Sequence, residues 1–211
     1  MTHRLATVNS IGDQAVRAIE ARIAQRHVLN HPFYQAWNRG ELSREALQDY
    51  ATQYYQHVAA FPTYLSAVHS RTSDLEVRRV LLQNLIDEEA GCPNHPELWL
   101  DFARGMGVDP QQVQNAPVEP DTLHLVETFR DICQNGSTVE GIAALYAYES
   151  QIPEVACPKI DGGIEAALRD NRRKDAPLLR SACGSRRGPP DAGARAVATP
   201  GDEHNRGGSG C

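Results

Sequence analysis

Three consecutive carboxylates, Asp87, Glu88 and Glu89, precede His95 in the segment DEEAGCPNH. On an unbroken helix, seven residues make about 1.9 turns, which would turn Glu88 and His95 to the same side. Gly91 and Pro93 lie between them, so the helix need not run through. Spacing alone favours a plainer reading, a solvated acidic cluster followed by a histidine at a helix start. Glu149 changes the balance. It sits in GIAALYAYESQIPEVA, where small and apolar neighbours predict a buried helix face, and an unpaired buried carboxylate is expensive. Its partner is either one of the eleven arginines before Lys159 or a cation shared with other donors. Carboxylates and imidazoles projecting inward from several helices build di-iron and di-manganese sites, and such oxygen-rich sets with histidine suit iron or manganese better than zinc or copper.

Two further residue types bear on chemistry. Seven tyrosines, at 34, 50, 54, 55, 64, 146 and 148, read first as core aromatics with satisfied hydroxyls, and beside an oxygen-activating metal they are also the oxidisable side chains. Lys159 is the only lysine among the first 173 residues. A bias toward arginine accounts for most of that, and a need for a primary amine, which guanidinium cannot supply, would account for the exception.

The elements that must position these groups are helical. From about residue 10 to 157 apolar residues recur at three and four spacing, which predicts an all-α bundle. Residues 43–71 read as one long helix capped by Ser43, with Pro62 expected to kink or break it. Ser73 with Glu76 and Ser137 with Glu140 read as capping boxes, and Asp109 with Pro110 opens another helix. The 211 residues suit one medium domain with a tail. Residues 1–159 carry 12 Lys and Arg against 20 Asp and Glu, an acidic body that predicts no nucleic-acid partner and no anionic membrane. No apolar run suits a membrane span or a signal peptide, so the expected address is cytoplasmic. Five cysteines without a C-x-x-C pair suggest free, partly buried thiols.

After Lys159 the character changes. All 13 aromatic residues precede it, and residues 160–211 hold none. Such a segment buries too little apolar surface to offset its chain entropy. The expected division is therefore a helical domain over 1–159 and a disordered tail over 160–211.

Three blocks, HPFYQAWNRGELSREALQDYATQYYQHVAAFPTYLSAVHS, NLIDEEAGCPNHPELW and GIAALYAYESQIPEVA, closely resemble the CADD-type proteins of the haem-oxygenase-like superfamily that also holds TenA and PqqC. The resemblance runs from about residue 10 to 162. It implies a seven-helix bundle and a dinuclear metal oxygenase, with two irons or a manganese/iron pair, that uses molecular oxygen to make para-aminobenzoate for folate. It implies self-sacrifice as well, with Tyr34 supplying the ring and Lys159 the nitrogen. The metal ligands it implies are Glu88, His95 and Glu149, and pairing into a homodimer is common in the superfamily. Cys92 stands where the family would carry an aromatic residue.

The family takes its other ligands from a further helix as His-x3-Asp-x2-His, and residues 160–211 contain no such pattern. The bundle is thus expected to lack its last helix, to hold metal weakly and to be inactive, with residues 137–157 loosened. Back-translation read one nucleotide later permits the missing ligands in order, with His, Asp and His codons overlapping Ala182/Cys183, Arg186/Arg187 and Pro189/Pro190. A frameshift would explain the tail. The rival readings are a non-catalytic helical interaction protein, a TenA-like hydrolase of thiamin fragments, which needs a cysteine nucleophile, and a cofactor-free PqqC-like oxidase.

Overall fold

The computed structural model describes residues 2–152; Lys159 and the whole of 160–211 lie outside them. Eight α-helices follow one another: α1 (Thr2–Gln25), α2 (Pro32–Asn38), α3 (Arg44–Arg71), α4 (Leu75–Glu89), α5 (His95–Gly105), α6 (Pro110–Asn115), α7 (Pro120–Asn135) and α8 (Thr138–Glu149). A single 3-10 turn, Val28–Asn30, joins α1 to α2. The count exceeds the seven implied by resemblance because α2 and α6 are short connectors of about two turns or fewer. No strand occurs among the described residues, and none of their helices is long and apolar enough to cross a membrane.

Local chemistry explains most boundaries. Ser43 accepts from the Ala46 N–H at the start of α3, Asp109 accepts from Gln111 and Gln112 ahead of Pro110, and Ser137 and Glu140 exchange the two bonds of a capping box. The expected Ser73 cap is displaced by one residue. Asp74 caps α4 instead, because its carboxylate reaches both the Glu76 and Val77 N–H groups, a charge-assisted pair at the positive end of the helix. Pro62 does not end α3, which continues for 28 residues through it. Pro62 is buried there, and α3 packs against α4, α5, α6, α7 and α8; burial on so many sides offsets the roughly 3 kcal/mol that an interior proline costs.

Two apolar clusters are threaded on α3. Its first half packs Ala51, with Tyr50 and Tyr54, against Trp37, Trp99, Phe102 and Met106. Its second half packs Phe61, Tyr64, Leu65 and Val68 against Leu81, Cys133 and Leu145. Helix α8 packs tightly on α3 at Gly141, where a Cβ would lie 2.7 Å from Val68 Cγ2. The 138–149 segment, expected to be loosened, forms a complete helix with Gly141 and Leu145 buried.

Candidate metal centre

Helix α4 ends at Glu89, and α5 begins at His95 behind an Asn94/Glu97 capping box that the sequence reading did not single out. The helix is therefore broken between Glu88 and His95, yet their side chains meet. His95 Nδ1 lies 2.8 Å from Glu88 Oε2, and only 13% of the Glu88 side chain is exposed. A tight corner between two helices does what a continuous helix was expected to do. The bond to Glu88 raises the His95 pKa, with burial opposing it.

Glu149, at the last turn of α8, faces the same corner. Its hydrogen-bond partner among the described residues is the Asn84 side-chain amide, whose Nδ2 donates to Oε1 at 2.5 Å. Asn84 lies four residues before Glu88, on the same face of α4. Burial raises the Glu149 carboxyl above the usual carboxylate range, the Asn84 bond counteracts this, and the charge of Glu88 adds to the rise. Two carboxylates are being crowded into a covered space, the situation that a cation relieves.

Among the described residues no group of three or more His, Cys, Asp and Glu side chains closes around a point that could hold an ion. Glu88 and His95 pair directly, and Glu149 is linked to them only through the charge of Glu88, so the three do not form a closed donor group. Lys159 lies outside the described residues.

Tyr34 sits on α2, which starts behind His31; the imidazole Nδ1 of His31 accepts from the Phe33 N–H. The corner that carries α2 is tied to the end of α8, because the Val28 N–H donates to Gln151 Oε1 at 3.0 Å. From Tyr34 a run of phenols leads inward. Its hydroxyl lies 3.3 Å from that of Tyr50, Tyr50 stacks on Tyr54 with ring centroids 5.2 Å apart, and the Tyr54 and Tyr148 hydroxyls share a short hydrogen bond. Tyr148 adjoins Glu149. Burial raises the pKa of all four, keeping them protonated at neutral pH. A cavity of about 530 Å³ lined by Arg26, His31, Phe33, Tyr34 and Tyr50 opens at the Tyr34 end.

His57 was not anticipated. It lies one turn beyond Tyr54 on α3, is wholly buried, and its ring sits 4.7 Å from that of Tyr148. The three and four spacing of Tyr50, Tyr54, His57, Phe61 and Tyr64 was the available signal. Of the cysteines, Cys133 is free and fully buried, and burial pushes its thiol up, which is unsuited to a nucleophile. Cys92 is disulfide-bonded, contrary to the expectation of free thiols.

Residues 14–182 match the TENA/THI-4/PQQC family. The chain is 49% identical over 153 residues to the 4-aminobenzoate synthase of Nitrosomonas europaea, covering 68% of this chain and 62% of that protein. To the 4-aminobenzoate synthase of Chlamydia muridarum it is 50% identical over 147 residues, covering 70% and 62%. The chain thus spans about six-tenths of the length of these curated relatives. A TenA homologue from Pseudomonas syringae has the same fold, with a TM-score of 0.66 at 21% identity over 75% of this chain and 67% of that one.

Proposed function

The chain belongs to the TENA/THI-4/PQQC family, and on that premise we propose that it is a metal-dependent oxygenase of the 4-aminobenzoate-synthase type whose own Tyr34 and Lys159 are consumed. This reading is carried by the likeness to 4-aminobenzoate synthases, and supported by the direct Glu88–His95 contact at the α4–α5 corner and the charge of Glu88 felt at Glu149. A bound pair of iron ions, or manganese with iron, supplies the activation of dioxygen. On the protein side, Glu88 and Glu149 offer oxygen donors and His95 a nitrogen donor. The Tyr148, Tyr54, Tyr50 and Tyr34 contacts give electrons a short path between Tyr34 and that corner, through side chains that are themselves oxidisable. Tyr34 supplies the aromatic ring and Lys159 the amino nitrogen.

The 211 residues carry no His-x3-Asp-x2-His, and on this reading a chain without that motif is expected to hold metal weakly and to form no product. The frame-corrected protein tests this directly. It is expected to bind two metal ions and to yield 4-aminobenzoate under dioxygen, whereas Tyr34→Phe and Lys159→Arg yield none. Tyr54→Phe, which breaks the hydroxyl contact with Tyr148, lowers the yield; Tyr55→Phe, whose hydroxyl accepts only a long bond from Gln114, leaves it near that of the parent. Undiminished product from Tyr34→Phe and Lys159→Arg rejects their sacrifice.

A further inference from the structure

We propose that the cavity beside Tyr34 is a binding site for a small aromatic carboxylate. It forms where the chain passes from α1 into α2. Arg26 and His27 follow α1, the Val28–Asn30 turn comes next, and beyond His31 the first residues of α2 bring Phe33 and Tyr34 against Tyr50 of α3. None of Glu88, His95 and Glu149 lines this cavity, so the assignment stands apart from the metal reading. The 4-aminobenzoate of the proposed reaction is one member of the ligand class, and binding requires no turnover.

Three features of the lining select the ligand. The first is charge. Residues 1–159 carry 12 Lys and Arg against 20 Asp and Glu, yet the lining holds Arg26, His27 and His31 and no carboxylate. The second is the sense of the hydrogen bonds. His27 and His31 each accept a backbone N–H at Nδ1, from Leu29 and Phe33 respectively, at 3.2 Å, so each neutral ring carries its own N–H at Nε2. Together with the Arg26 guanidinium, whose fork matches the two oxygens of a carboxylate, they make the charged rim a set of donors. A cationic ligand would find no counter-charge there. The third feature is the wall. Phe33, Tyr34 and Tyr50 touch one another with ring centroids 5.4, 5.0 and 6.3 Å apart, and the Tyr34 and Tyr50 hydroxyls lie against each other. Such a wall favours a flat ring, held by edge and offset contacts. One fixed cation suits a single negative charge, and a volume of about 530 Å³ falls in the range of roughly 300–1,000 Å³ that small-molecule sites occupy.

The test is a ligand-observed nuclear magnetic resonance titration of the full chain with three probes: benzoate, its neutral counterpart benzamide, and acetate, which keeps the charge and lacks the ring. Benzoate is expected to bind, and each of the other two about 10-fold or more weakly. Arg26→Gln is expected to lower benzoate affinity by about 10-fold and Arg26→Lys to lower it less. Arg22→Gln removes an exposed cation one turn earlier on α1 that does not line this cavity, and is expected to leave the affinity unchanged. Arg26 is itself exposed, so melting temperatures are expected to be alike across the series. Absence of benzoate binding, equal binding of benzamide, or parent-like affinity in Arg26→Gln overturns the proposal. Equal losses in Arg26→Gln and Arg22→Gln overturn it too, since overall charge would then account for the attraction. A frame-corrected chain that makes no 4-aminobenzoate yet binds benzoate through Arg26 rejects the oxygenase reading and upholds the cavity assignment.

Discussion

His57 shows what one misplaced polar group does to this protein. It is 0% exposed, and neither ring nitrogen has a hydrogen-bond partner. Burial holds its pKa down at about 4, against 6.5 for an unburied imidazole. Below pH 6.5 the unfolded chain therefore takes up a proton that the folded chain refuses. Stability is complete above pH 6.5 and is lost as pH falls toward 4, by up to about 3 kcal/mol at 1.36 kcal/mol per unit. His57→Phe keeps an aromatic ring, slightly larger than the imidazole, and removes two unmet polar atoms. Urea unfolding at a series of pH values is expected to show the variant more stable by about 1–3 kcal/mol at neutral pH and less sensitive to acid between pH 6.5 and 4. An acid sensitivity equal to the parent's would assign that slope to other groups. The three and four spacing on α3 places His57 on an inward face. That its nitrogens go unmet depends on Phe61, Tyr64, Phe129 and Tyr148 closing around it, which no local pattern encodes.

Between elements, the α3–α8 approach governs where Glu149 stands. Alanine at 141 gains about 1 kcal/mol in helix propensity, but its Cβ would meet Val68 Cγ2 at 2.7 Å, and overpacking of this kind costs about 1–3 kcal/mol. Gly141→Ala is expected to lower stability on thermal unfolding, and Val68→Ala in the same chain to recover part of the loss by opening space for the new methyl. A more stable single variant would show that the two helices have room to spare. Helix boundaries were readable where a side chain caps its own backbone, as at Ser43, Asp109 and Ser137. The Ser73 expectation failed for a different reason, because Asp74 outcompetes its neighbour by charge; of the two outcomes expected at Pro62, a break does not occur. The Glu88–His95 contact was readable by residue type but not by route, because the two meet through a turn rather than along a helix. Asn84 escaped notice because an amide advertises nothing until its acceptor is known.

For the whole molecule, the question is what accompanies the acidic helical body. The chain spans about six-tenths of its curated relatives, and the aromatic-free residues 160–211 carry no second ligand motif. A frameshift predicts that the underlying nucleotides, read one position later, encode histidine across Ala182/Cys183, aspartate across Arg186/Arg187 and histidine across Pro189/Pro190. Determining that nucleotide sequence checks the prediction, and a gene without those three codons rejects it.

Both indoles of the protein, Trp37 and Trp99, belong to the cluster on the first half of α3, and Trp99 donates to the Ala51 carbonyl at 2.8 Å. Intrinsic tryptophan emission thus samples only the end of the rod nearer Tyr34. The opposite end, where Gly141 and Val68 touch, is dark to it and is visible only through phenol absorbance or backbone ellipticity.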